Sequence, residues 1–230
     1  MAYGGALINQ TGFQNAPVSL MAQINDYLLT QGFDLGSTAD NTQYFFQGGP
    51  NDVWFAPLNN ETMTPSGPTG RLAELPEAIP FMTTWQVKKL IAAGAKNILV
   101  MLLPPLNRAP ESVAGLSAPE LNAFSDFVQK INGGIVAGLS SINCTAITLK
   151  VFDAYQFSDG LLKDPQRYGL RNLTSPCLQN YNKFLRGKGE VDPIICEYPV
   201  EYLFWDGAGH PTTKVHSLVG LEVRRILGLE

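Results

Sequence analysis

Lys96-Asn-Ile-Leu-Val-Met-Leu-Leu103 is an almost unbroken apolar run that ends at Pro104-Pro105. It shows no alternation of polar and apolar residues, so a strand built from it has no face turned to water. Continuous, branched runs of this kind are expected where both faces of a parallel sheet are covered. Thr42-Gln-Tyr-Phe-Phe-Gln-Gly-Gly49, apolar and closed by glycines, and Thr145-Ala-Ile-Thr-Leu-Lys-Val-Phe152 read as two more strands.

Helical periodicity fills the intervals. Pro17 to Gly32 puts Leu20, Ile24, Tyr27 and Leu28 on one face, with Pro at the start and Gly at the end. Leu72 to Ala93 is helical in period and is expected to break or restart around Pro76 and Pro80. Ser117-Ala-Pro-Glu120 is a capping box that opens a long helix to Ser141, in spite of Gly133-Gly134. Residues 158–200 read as loop with short helical pieces. Thr212 to Leu227 closes the chain as an amphipathic helix, with Val215, Leu218, Val219, Val223 and Ile226 inward. Strands alternating with helices predict an open α/β fold, a parallel sheet within a single domain over residues 1–230.

The chain has 230 residues, 45% of them apolar and 16% charged, which suits one domain with a large core. Its net charge of -4, with no run of Lys or Arg, argues against nucleic acid and anionic membranes as partners. No apolar stretch approaches the roughly 20 residues that span a bilayer. Residues 1–12 show no signal peptide. Four tripeptides, beginning at Asn9, Asn60, Asn143 and Asn172, fit the N-glycosylation pattern and point toward secretion. Cys177 and Cys196 lie in a polar segment and are either a disulfide or two free thiols; Cys144 is left over.

In open α/β sheets, sites form beyond the carboxyl ends of the strands. Gly48-Gly-Pro-Asn-Asp52, Pro104-Pro105 and Asp153 fall there. Asp206-Gly-Ala-Gly-His-Pro211 precedes the last helix and looks like the acid and base of a hydrolytic triad. The plainer reading makes His210 a helix-start histidine and Asp206 an ordinary loop acid. His210 and His216 are too few, and too poorly spaced, for a metal site, so no metal and no cofactor are expected. No Gly-x-Ser-x-Gly elbow is present, and the serine of Gly36-Ser-Thr-Ala39 precedes a strand and reads as a surface turn. Trp54, beside Asn51-Asp52, is open to two readings, core packing or an acceptor groove.

These blocks resemble the GDSL, or SGNH, hydrolase family. The likeness is strongest to fungal secreted esterases that include carbohydrate acetyl-esterases, and more distant to plant GDSL lipases and thermolabile haemolysins. Ala2-Tyr-Gly-Gly-Ala6 resembles the block whose second glycine, here Gly5, gives a backbone N–H to the oxyanion hole. Gly49-Pro-Asn-Asp52 resembles the Gly-x-Asn-Asp block, whose asparagine, here Asn51, donates its side-chain amide to the same hole. Leu103 to Pro110 and Tyr168 to Cys177 are similar to segments recurrent in the fungal subgroup. Phe204-Trp-Asp to Thr213 resembles the last block, with Asp206 and His210 as the acid and base. In the family two residues usually separate that pair; here Gly207-Ala-Gly209 puts three between them.

The resemblance implies a flavodoxin-like, three-layer parallel sheet with helices on both faces, and a serine esterase acting on a small-molecule or oligosaccharide ester, plausibly plant-wall acetate. It implies a secreted protein, with a monomer expected. The family's nucleophile lies in a Gly-Asp-Ser-Leu-like block upstream of the glycine that Gly5 matches. That segment is expected to be absent, so the chain reads as an N-terminally truncated copy, inactive as it stands and lacking the N-terminal strands. The Tyr44–Phe46 strand is then expected at an apolar edge. Two alternatives stand beside this: a non-catalytic relative that binds acylated or sugar ligands, and a fragment that does not fold.

Overall fold

The structure is a computed structural model and describes residues 6–8, 18–36, 39–55, 62–180 and 192–229. In chain order these residues form α1 (Leu20–Thr30), β1 (Gln43–Phe46), α2 (Pro50–Phe55), β2 (Met63–Thr64), β3 (Gly67–Pro68) and α3 (Leu75–Ala92). Next come β4 (Asn97–Met101), α4 (Pro110–Gly115), α5 (Ala118–Ser140), β5 (Thr148–Phe152) and α6 (Ala154–Lys163). The chain ends with β6 (Asn172–Pro176), β7 (Leu178–Gln179), β8 (Ile194–Ile195), β9 (Tyr202–Phe204) and α7 (Thr213–Leu227). They divide into two compact units. One takes the described residues up to Pro104 together with Asp126–Ala154, the other Pro105–Ser125 and the described residues from Tyr155 on.

The first unit is built on a parallel sheet of order β1-β4-β5, so the α/β expectation holds. Strand β4 is central, with Tyr44 opposite Ile98 and Leu99 opposite Lys150. Ile98, Leu99 and Val100 are buried, as an unbroken apolar run requires. Among the described residues strand β1 lies at an edge of this sheet, with Phe45 half exposed and Phe46 buried. The run from Thr145 delivers less strand than expected, since regular pairing starts only at Thr148.

Helix α1 starts at Leu20, where the Ser19 hydroxyl accepts the amide of Ala22 at 3.2 Å. Pro17 falls outside the described residues. Helix α3 is continuous from Leu75 to Ala92, so Pro80 does not break it. Pro76 occupies the first turn, where it has no amide to lose, and Pro80 follows one turn later, buried. The glycines of α5 let that helix pack closely against α3 at Pro80 and Thr84. A Cβ on Gly134 would lie 2.6 Å from Pro80 Cγ, and one on Gly138 would lie 2.1 Å from Thr84 Oγ1. Two glycines four apart thus open a flat strip along α5 on which α3 rests. The start of α5 shows the glutamate half of the expected capping box, with Glu120 accepting both the amide of Ser117 (2.8 Å) and its hydroxyl (2.6 Å). Buried Asn132, also on α5, grips the exit of β4 by accepting from Leu103 N (2.8 Å) and donating to Leu103 O (2.9 Å).

The second unit holds more regular structure than the sequence suggests. Segment 158–200 contributes most of α6, and also β6, β7 and β8. Strand β6 runs parallel to β9, and β7 pairs antiparallel with β8. Leu161, Leu170, Leu203, Phe204 and Val215 form the core, with Phe157, Leu173 and Leu218 packed against it. On α7 only Val215 is fully buried; Leu218, Val219, Val223 and Ile226 are partly exposed, short of the inward face expected. Cys177 and Cys196 form a disulfide, and Cys196 N donates to Cys177 O at 2.9 Å. Cys144 is free and partly buried.

Candidate functional site

The Asp206/His210 loop is a closed hairpin. Strand β9 delivers the chain to Trp205, whose amide donates to His210 O at 2.7 Å. Phe204 bridges Pro211 in antiparallel fashion, and Thr212 N donates to Leu203 O at 3.2 Å. The Thr212 hydroxyl donates to Tyr202 O at 2.8 Å, and Thr212 is the N-cap residue of α7. His210 therefore precedes the helix cap and is not a helix-start histidine.

Two glycines make this loop fit. Gly209 adopts φ +90°, and a Cβ there would lie 2.8 Å from that of Ala109. A Cβ on Gly207 would lie 2.6 Å from Glu111 Oε1, while Gly207 O accepts the amide of Glu111 at 3.0 Å. The extra residue between acid and base is absorbed in this turn, and the two side chains still meet.

His210 Nδ1 lies 2.7 Å from Asp206 Oδ2, and the backbone amide of His210 donates to Asp206 Oδ1 at 3.2 Å. The carboxylate is buried, whereas 69% of the imidazole is exposed. An ionised carboxylate only accepts, so Nδ1 carries the proton and the Nε2 lone pair is left outward as a base. Burial pushes the Asp206 carboxyl up, but bonds from the imidazole and from the His210 and Ala208 amides outweigh it and hold the group below its ordinary range. The hydrogen bond to Asp206 raises the His210 pKa, against the opposing effect of burial.

Asn51 belongs to the other unit, on short α2 beyond the carboxyl end of β1. Its Nδ2 donates to Ala6 O at 3.0 Å, which leaves one N–H unspent among the described residues. Asp52 beside it accepts the amide of Ile8 at 3.0 and 3.2 Å. Burial pushes its carboxyl up to about 6, against the lowering effect of that bond. Sequence reading gave Asp52 no role; the Gly-Pro-Asn-Asp block contains it, but nothing in a lone sequence says what it holds. Trp54 is partly buried. Gly5 and the serine of the Gly36 turn lie outside the described residues. The structure thus unites Asp206 with His210 and places Asn51 among its own neighbours.

Among the described residues, no group of three or more His, Cys, Asp or Glu is arranged to hold a metal. Likewise, none of their helices is long and apolar enough to cross a membrane.

No family model matches the chain. It is 25% identical over 232 residues to a GDSL esterase/lipase of Arabidopsis thaliana, an alignment covering 94% of this chain and 62% of the plant protein. GDSL esterase/lipase 6 of the same plant is 25% identical over 227 residues, covering 95% and 60% respectively. The thermolabile hemolysin of Vibrio parahaemolyticus is 26% identical over 140 residues, covering 57% of this chain and 32% of that protein. The chain spans less than two thirds of the length of each of these curated relatives. Over nearly its whole extent, then, the chain is similar to GDSL esterases/lipases.

Proposed function

We propose that the chain carries the acid–base pair and an oxyanion donor of a GDSL/SGNH-type serine ester hydrolase. The observation that carries this reading is the Asp206–His210 contact, in which a buried acceptor holds an exposed imidazole by its Nδ1. In this scheme a serine hydroxyl gives its proton to His210 Nε2 as its oxygen attacks the ester carbonyl. The imidazolium, stabilised by Asp206, then returns that proton to the departing alcohol. Asn51 Nδ2 and the amide of Gly5 stabilise the developing oxyanion, a role in which losing one donor slows other enzymes by roughly 10²–10³.

The serine itself is assigned outside residues 1–230, none of which stands in a Gly-Asp-Ser-Leu-like block. The substrate is a small-molecule or oligosaccharide ester, with plant-wall acetate as the specific class. Secretion, the fungal carbohydrate acetyl-esterase likeness, a flavodoxin-like three-layer sheet and a monomeric state belong to the same reading. The Cys177–Cys196 disulfide supports the extracellular setting, because such bonds persist in oxidising compartments. A second reading is ligand binding without catalysis.

A fluorophosphonate probe separates the two. It is applied to the 230-residue chain and to the chain joined to a preceding strand that ends in Gly-Asp-Ser-Leu. Labelling of the joined protein that disappears in His210→Ala, with hydrolysis of acetylated xylo-oligosaccharide, supports the proposal. Stoichiometric labelling of the chain alone overturns the assignment of the serine, and an inert joined protein overturns the catalytic reading.

A further inference from the structure

We propose that Asp52 is a positioning residue: its carboxylate anchors the Ala6–Ile8 segment and, through that segment, fixes the side-chain amide of Asn51. The inference rests on the reading of Asn51 as an oxyanion donor.

All the groups concerned lie in one compact unit. Asp52 receives the amide of Ile8 on both carboxylate oxygens, and Asn51 donates to the carbonyl of Ala6. Helix α1 takes the other two carbonyls, through Leu20 N to Leu7 O (2.8 Å) and Met21 N to Ile8 O (3.2 Å). Leu7 and Ile8 are buried at 1% and 2% exposure. Gly48 lets the segment approach, since a Cβ there would lie 2.9 Å from Ile8 Cγ1 and 2.7 Å from Leu20 Cδ2. Three residues are thus pinned at four polar groups, and α2 supplies two of the pins from adjacent positions.

A side-chain amide has two ends, and Ala6 O decides between them. A carbonyl only accepts, so it selects Nδ2 and leaves the second N–H of Asn51 aimed elsewhere. That selection is only as firm as the position of Ala6. The Ile8–Asp52 bond sets this position two residues further on. Without it, α1 still holds the carbonyls of 7 and 8, but the only bond from α2 is the one from Asn51 itself. A donor that must hold its own reference point is free to turn with it.

The choice of acid is informative. Burial disfavours a charge at this position, and a neutral acceptor would satisfy one amide with less desolvation. Charge-assisted bonds are stronger than neutral ones, however, and the carboxylate meets the Ile8 amide with both oxygens. A charge kept at some cost to stability is what a site needing rigidity is expected to show.

Amide exchange and NMR on the isotope-labelled 230-residue chain test the proposal. In Asp52→Ala, exchange of the Ile8 amide is expected to rise about tenfold or more relative to that of Leu99 in β4. The two distinct Asn51 side-chain N–H signals are expected to lose their difference in exchange. Asp52→Asn keeps one acceptor oxygen without the charge and is expected to restore both properties in part. Asp52→Glu keeps the charge but moves it by one methylene, and is expected to behave like Asp52→Ala where that variant does not stay folded. Val53→Ala, at the buried neighbouring position, controls for general loosening. Unchanged Asn51 signals in the Asp52 variants, or an equal change in Val53→Ala, overturn the proposal. None of these readouts involves ester hydrolysis, so they remain informative if the catalytic reading fails.

Discussion

The imidazole of His210 is held 2.7 Å from the carboxylate of Asp206 within a single hairpin whose ends are tied by Trp205 N and His210 O. Acid and base are therefore assembled by local chain geometry, and this relationship leads to the first prediction.

Asp206→Ala should lower the His210 pKa toward the ordinary histidine value, because the hydrogen bond that raises it is gone. The sign for stability follows. A raised histidine pKa contributes stability that is fully present below the unfolded value of about 6.5 and lost as pH rises through the folded one. Wild type should thus lose this contribution above that range, while the variant should not. Imidazole C–H shifts followed against pH check the first part, and denaturant unfolding at two pH values checks the second.

Asp52 should produce a second, lower pH dependence. Its carboxyl is raised to about 6, above the unfolded value of about 3.9, so the native state binds the extra proton between these values. The contribution of this site to stability is greatest in acid and falls as pH climbs through about 6. Asp52→Asn should flatten that slope, read from unfolding midpoints between pH 4.5 and 7.5.

Gly209→Ala should cost on the order of 1–3 kcal/mol, because φ +90° is strained for any Cβ and this one would meet Ala109. The same variant should lower the His210 pKa if the turn shifts, which links a melting temperature to a titration.

Reducing the Cys177–Cys196 bridge should cost about 3 kcal/mol in the chain-entropy model, given a sequence separation of 19. Unfolding with and without reductant measures this directly, with Cys196→Ser as a check against effects of the reductant elsewhere.

Gly138→Ala should destabilise by roughly 1–3 kcal/mol through overpacking against Thr84. Gly133→Ala, where a Cβ meets nothing within 4 Å, should be neutral or stabilising. The contrast between two glycines of one helix, read by thermal unfolding, tests the packing account.

The β4 run was legible because burial on both faces leaves a pattern in the chain itself, and the capping box at Ser117 was legible because its chemistry is local. Pro80 was misleading for the opposite reason. The helix runs through Pro80 and packs there against Gly134, more than fifty residues away, a contact that no local pattern records. Strands β6 to β8 were missed because they are short and paired over long separations, as Leu178 is with Ile195. At the candidate site, Asp206 and His210 could be named from their loop, since four residues and two glycines bring them together. Asp52 could not, because its partner Ile8 is 44 positions distant and is recognised through its backbone, which no side-chain motif records.

Because the Asp206–His210 hairpin closes on itself within one unit, the proton affinity of the imidazole is set by a neighbour four residues away in the chain. Basicity and aim are thus coupled, since one hydrogen bond at Nδ1 sets both. A substitution that turns the imidazole away from Asp206 should therefore show itself in the titration curve of His210.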